Sequence, residues 1–95
     1  MLLCYITCLN NAQAQKIANY LLQKKLCACV NIFTDVQSLY LWPAGSNNVA
    51  TDWEVVLVVK TLVSKYQDLE KAVVEQHSYE VPCILAFSIT VGSKK

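Results

Sequence analysis

The sequence predicts an α+β domain in which one four-stranded antiparallel sheet carries two helices on a single face. Three observations predict it. The elements read strand, helix, strand, strand, helix, strand along 95 residues. Both helical segments carry one apolar stripe, and the first, third and last strands are apolar on both faces. Right-handed crossovers put both helices on the same side of such a sheet.

Leu2 to Leu9 is an apolar run with no polar face, as a buried central strand requires. Asn10 ends it, and Gln13 three residues on completes a capping-box pattern. From Ala12 to Lys25, Ala14, Ile17, Ala18, Leu21 and Leu22 fall on one helical face, with Gln15, Lys16, Asn19 and Gln23 off it. Lys24 and Lys25 close the last turn, where the helix dipole favours cations.

Cys27 to Trp42 reads as a long strand with a bulge, with Val30, Ile32, Val36, Tyr40 and Trp42 on one side and Asn31, Asp35 and Gln37 on the other. Pro43 to Asn48 is a turn cluster, and Trp53 to Leu62 is the returning strand of a hairpin. Ser64 with Gln67 is a second capping signal before a helix from Lys65 to Gln76. Tyr66, Leu69, Ala72 and Val73 form its buried stripe. Pro82 opens the last strand, Cys83 to Val91. The resulting architecture is a ferredoxin-like βαββαβ sandwich in a single domain, 1–95.

Two helices cover only one face of that sheet. The composition is 55% hydrophobic and 16% charged, more apolar than a chain of this size can hide alone. Identical chains are the simplest cover for the other face, so a homo-oligomer is expected. Net charge is +1 and all eight basic residues are lysine. Without arginine there is no bidentate fork for phosphate or guanine, so nucleic acid is not the expected partner. No apolar run reaches membrane-spanning length, and Met1 to Cys4 has no basic flank of a signal peptide. Five cysteines in apolar surroundings suit reduced thiols, so the expected location is cytoplasmic, without a membrane partner.

Three activities that use this strand order are excluded by missing residues. The third strand lacks the aromatic RNA-binding core. An acylphosphatase-type site would use arginine, and a copper-chaperone loop would need Cys-x-x-Cys after the first strand; neither is present. The candidate chemistry gathers instead at His77-Ser78-Tyr79-Glu80-Val81-Pro82, which holds the sole histidine. His77 can serve as a nitrogen ligand or as a cation at a helix C-terminus. One histidine and one carboxylate are too few ligands for a tight site in one chain, so a site there needs a second subunit. Cys27-Ala28-Cys29 could offer two thiols to a soft metal, but its apolar neighbours make a pair of small core residues the simpler reading. Glu54 and Lys60, six apart on one strand face, need polar partners, with Glu80 or Asp35 facing Lys60.

An ordered set of segments carries a family resemblance: Lys25-Leu26-Cys27-Ala28-Cys29-Val30-Asn31-Ile32, Ser38-Leu39-Tyr40-Leu41-Trp42, Glu54 to Thr61, His77 to Pro82 and Gly92. Over nearly the whole chain it resembles the CutA family of divalent-cation tolerance proteins. The resemblance implies a tight homotrimer with sheets packed inward and the long hairpin reaching a neighbour, and it implies no enzymatic activity. It implies binding of copper or another divalent cation; the expected metal-site residues are His77 as ligand with Glu80 or Cys83 assisting, Cys83 offering a thiol where the family commonly has glutamate. It also implies a subunit cleft lined by Ser38, Tyr40, Trp42, Glu54, Lys60 and Tyr79. The alternative is a trimeric small-molecule sensor or signalling scaffold resembling the PII proteins. The chain departs from the family pattern at Ser78, where proline is common, and at Cys83, where glutamate is common. Ile6 occupies a position where some members place a cysteine, and Cys8 lies two residues on.

Overall fold

A computed structural model describes residues 1–77 and 83–92. The elements are β1 (Leu2–Cys8), α1 (Asn11–Gln23), β2 (Cys29–Leu41), β3 (Val49–Thr61), a 3-10 turn (Val63–Lys65), α2 (Tyr66–Gln76) and β4 (Ile84–Ser88). The sheet order is β2-β3-β1-β4 and all three pairings are antiparallel, the ferredoxin-like arrangement.

The core lies between the helices and one sheet face. Cys4, Ile6 and Cys8 of β1 pair directly with Val59, Leu57 and Val55 of β3, so these six side chains share that face. They pack in one buried cluster with Ala14, Ile17, Ala18 and Leu21 of α1 and Leu69, Ala72 and Val73 of α2. Each fully buried leucine or isoleucine there contributes about 1.5–3 kcal/mol. Among the described residues, the opposite sheet face has no such cover. Phe33, Leu85 and Phe87 point from it and are about half exposed, at 52%, 50% and 54%.

The start of α1 follows its sequence signal. Asn10 Oδ1 accepts from the Gln13 N–H at 2.9 Å, and Gln13 Oε1 accepts from the Leu9 N–H at 2.8 Å, satisfying two amide donors at the helix entrance. The helix ends two residues before expected, in a Schellman motif. Leu26 N–H reaches Leu21 O and Lys25 N–H reaches Leu22 O, with Lys25 left-handed at φ 57. Lys24 is therefore the cap, its ammonium 5.7 Å from the Tyr20 ring centroid, and Leu22 leaves the stripe and is exposed.

Three further expectations are corrected. Ser64 does not cap α2: it lies inside the 3-10 turn, and neither that turn nor α2 has a side-chain cap bond. The last strand is Ile84–Ser88 rather than Cys83 to Val91, because its partner β1 extends only from Leu2 and the register ends at Leu2↔Ser88. The bulge in β2 is real, between Phe33 and Val36, with Asp35 at φ 58. It reverses the side-chain alternation: Val30 and Ile32 face the helices with Val59 and Leu57, whereas Val36 and Tyr40 lie on the open face with Glu54 and Ala50. The bulge was expected, but the assignment of Val36 and Tyr40 to the side of Val30 and Ile32 is wrong beyond it.

Past the bulge, β2 and β3 pair from Val36↔Glu54 to Leu41↔Val49 with no third strand among the described residues beside them, since β1 reaches only to Val55. This two-stranded arm extends the molecule to 45 Å in its longest dimension. The returning strand starts at Val49, earlier than the expected Trp53, because the hairpin pairs through its polar residues. Around the turn the Trp42-Pro43 bond is cis, Trp42 N–H donates to Asn48 O, and Gly45 takes φ +82. That φ is one glycine adopts at no steric cost.

Candidate functional site

His77 stands where the sequence places it, as the residue closing α2, and it is buried at 9% exposure. Its Nε2 lies 2.6 Å from the Thr7 carbonyl oxygen. A carbonyl only accepts, so Nε2 carries a proton and donates. Thr7 N–H in turn donates to Cys83 O at 3.3 Å, one step beyond the β1–β4 register. One backbone unit of β1 thus joins His77 and Cys83. The imidazole continues the β1–β4 hydrogen-bond line beyond the end of β4. The Cys83 side chain is exposed. Tyr79 and Glu80 lie outside the described residues, and among the described residues no three His, Cys, Asp or Glu side chains gather as a metal-binding group.

The expected cleft residues divide into two places. Ser38, Tyr40 and Glu54 come together on the arm, because the bulge puts residues 36, 38 and 40 on one face with Glu54 and Asp52. Ser38 Oγ donates to Glu54 Oε2 at 3.2 Å, and Tyr40 OH donates to Asp52 Oδ2 at 2.5 Å. Both are diagonal cross-strand pairs, one step off the directly opposite residues Asp52 and Ala50. The bond to Asp52 pushes the Tyr40 phenol above its ordinary value. Trp42 follows the end of β2 and is 64% exposed. Lys60 shares the face of Glu54 but lies six residues along β3, roughly 20 Å away at strand rise. Asp35 does not face Lys60. It sits at the bulge beside a cleft lined by Asn10, Thr34, Trp53 and Glu54, while Lys60 borders the opposite end of the sheet.

The pair Cys27 and Cys29 separates as well. Cys27 precedes β2 and packs against the helix-side core, whereas Cys29 pairs with Lys60 on the open face. Burial raises the thiols of Cys4, Cys8 and Cys27. Cys8 goes to about 11, with the nearby Glu54 carboxylate adding to the burial effect. Such thiols are poor thiolate donors at neutral pH. Two participants were missed by sequence reasoning. Thr7 contributes through its backbone alone, which no side-chain pattern reveals. Asp52 is matched to Tyr40 only by the register the bulge sets.

These features have counterparts among known proteins. The model of the CutA1 divalent ion tolerance protein family matches residues 2–95. The divalent-cation tolerance protein CutA of Archaeoglobus fulgidus is 42% identical over 91 residues, covering 96% of this chain and 85% of its own. The chloroplastic CutA protein of Arabidopsis thaliana is 40% identical over 91 residues, covering 96% of this chain and 48% of its own. The chain therefore spans about half the length of that plant relative. The solved structure of the Thermus thermophilus divalent cation tolerance protein superposes with a TM-score of 0.89 at 35% identity, covering 99% of this chain and 89% of that one. The Archaeoglobus fulgidus CutA structure gives 0.87 at 38% identity over 99% and 89% of the two chains. The family is named for ion tolerance rather than for a reaction. On its sequence, strand order and structural match, the chain belongs to the CutA1 family of divalent ion tolerance proteins.

Proposed function

We propose that the chain is a non-enzymatic divalent-cation tolerance protein that acts as a homotrimer in the cytoplasm and binds copper or a similar divalent cation. The observation that carries the assembly is the uncovered sheet face, where Phe33, Leu85 and Phe87 stand half exposed beside an arm unsupported by a third strand. An apolar surface of this kind marks an interaction site, and closed symmetry lets copies of one chain cover it mutually. Five unpaired cysteines suit a reducing compartment. The metal role is assigned to His77 and Cys83, which Thr7 holds at one end of β1, with Glu80 completing the set. Coordination by His77 has to use Nδ1 or release Nε2 from Thr7. Ser38, Tyr40, Trp42 and Glu54 on the arm of one subunit would meet Lys60 only through a neighbour, and Tyr79 is assigned to the same cleft.

Light scattering coupled to size-exclusion at micromolar concentration tests the assembly. The expected mass is three chains, Phe87→Ser dissociates it, and a monomeric wild type overturns it. Calorimetry on protein prepared without a histidine tag or chelator tests the ligand. Copper or zinc is expected to bind at about one ion per chain, and His77→Ala to weaken it about tenfold or more. Unchanged binding in that variant removes His77 from the site.

A further inference from the structure

The open sheet face carries an ordered charge pattern along one strand. The register puts Asp52, Glu54, Val56, Val58 and Lys60 of β3 on that face. Two carboxylates stand on the arm, two valines follow, and one ammonium group closes the far end. Asp52 and Lys60 are both exposed. Eight residues of strand separate them, roughly 26 Å, so they cannot meet within one chain.

Lys60 is the sole cationic side chain of the four strands. Its row across the open face is Cys29, Lys60, Leu3 and Phe87, which brings no carboxylate. A neighbour that covers this face takes the ammonium group out of water, which is costly unless the neighbour supplies an opposite charge. Among the described residues, few carboxylates can supply it. Asp68, Glu70 and Glu75 belong to α2, behind the sheet. Asp35 sits at the left-handed bulge position, beside a cleft at the start of α1. Asp52 and Glu54 remain. Each accepts one hydroxyl bond, from Tyr40 and Ser38 respectively, which holds it in place. An ionised carboxylate accepts about four bonds in all, so both keep positions for an ammonium group.

We propose that in the assembly the arm of one copy lies against the far end of the next, where Asp52, with Glu54 beside it, pairs with Lys60 of the neighbouring copy. This rests on the reading that copies of the chain cover the open face, and it adds the direction in which they do so. Arm against arm, or Lys60 against Lys60, sets like charges together and is disfavoured.

Charge reversal tests the pair by light scattering coupled to size-exclusion. Lys60→Glu and Asp52→Lys are each expected to weaken association about tenfold or more. Both positions are exposed, so the variants keep the fold, which circular dichroism checks. Combining Asp52→Lys with Lys60→Glu should recover most of the loss, since the reversed charges again meet as opposites. Combining Glu75→Lys with Lys60→Glu restores the net charge equally, but on α2, and should recover none of it. Unchanged association in both single variants, no recovery with Asp52→Lys, or equal recovery with Glu75→Lys overturns the pair while the assembly stands. A monomeric wild type overturns the assembly and the pair together.

Discussion

β3 is one continuous strand that lives in two environments. From Val55 to Thr61 it lies between β1 and β2 and sends Val55, Leu57 and Val59 into the helix-covered core. From Val49 to Glu54 it has, among the described residues, a single neighbouring strand and no layer on either face, and Val49 and Trp53 are exposed at 65% and 64%. The lower half runs Val55 to Val59 without a polar residue, whereas the arm half sets Thr51, Asp52 and Glu54 among Val49, Ala50 and Trp53. Composition and the number of neighbouring layers together make the difference. Burial within the chain folds the lower half, while the arm leaves Val49 and Trp53 exposed. An isolated two-stranded ribbon is marginal in water, so a partner surface would settle the arm as well as use it.

The largest expected effect breaks that contrast most directly. Leu57→Ala removes a side chain with no exposed surface and should cost about 3 kcal/mol in denaturant unfolding. Leu39→Ala, on the arm at 61% exposure, should cost under about 0.5 kcal/mol when the chain is dissociated. In the assembled protein the same Leu39 substitution should instead weaken association, seen as a transition that moves with protein concentration. Equal costs for the two substitutions in the dissociated chain would mean the arm packs on its own subunit.

The same boundary separates what the sequence revealed from what it hid. The buried stripes of α1 and α2 were legible because a helix has one period and one core, and Ile17, Leu21, Leu69 and Val73 all fell where the spacing put them. The Asn10 and Gln13 cap was legible because it is local. The arm was not, because two residues at the bulge, Thr34 and Asp35, stand opposite the single Val55 and reverse every later side chain. Ser38 and Tyr40 were expected to share a subunit cleft with Glu54; within one chain Ser38 bonds Glu54 and Tyr40 bonds Asp52, and the grouping of Val36 and Tyr40 with Val30 and Ile32 fails at the bulge. Lys60 was placed on the same face as Glu54 but assigned to the same cleft, since a face is visible in a sequence and a distance along it is not. At the other end, Ser64 carried a sound capping pattern that lost to a 3-10 turn tied down by the Lys65 bond to Lys25 O.

A second, smaller effect sharpens the contrast through pH. Cys8 is fully buried in the lower layer and its thiol is pushed up to about 11, from an ordinary value of 9.0. Between those values the unfolded chain has released the proton while the folded chain still holds it. The unfolded state then binds fewer protons, and stability falls as pH rises through that window. Cys4, Cys27 and Tyr66 are raised by burial too and act in the same direction, Tyr66 to about 12. Denaturant midpoints should therefore be flat up to about pH 8.5 and decline from pH 9 to 11. Cys8→Ala should shallow the decline. Tyr40 on the arm is held up by its bond to Asp52 but is partly exposed, so Tyr40→Phe should shallow the slope less than Cys8→Ala.

The smallest effect concerns backbone alone and asks whether the helical layer folds independently of the assembly. Lys25 holds a left-handed φ of 57 at the position after the α1 cap, where glycine is the usual residue. A side chain there costs about 1–2 kcal/mol. Glycine would remove that cost while adding unfolded-state freedom worth about 0.4–1 kcal/mol. The bond from Lys65 Nζ goes to the Lys25 carbonyl, so Lys25→Gly keeps it. The net expectation is a gain of about 0.5–1 kcal/mol, a few degrees in melting temperature for a domain of this size. Measured in the wild type and again in the Phe87→Ser background, the gain should be the same, because sites that share no contacts contribute additively. A gain that appears only in the assembled protein would show that the end of α1 is itself completed by a neighbour, and the division between a self-sufficient layer and a dependent arm would have to be redrawn.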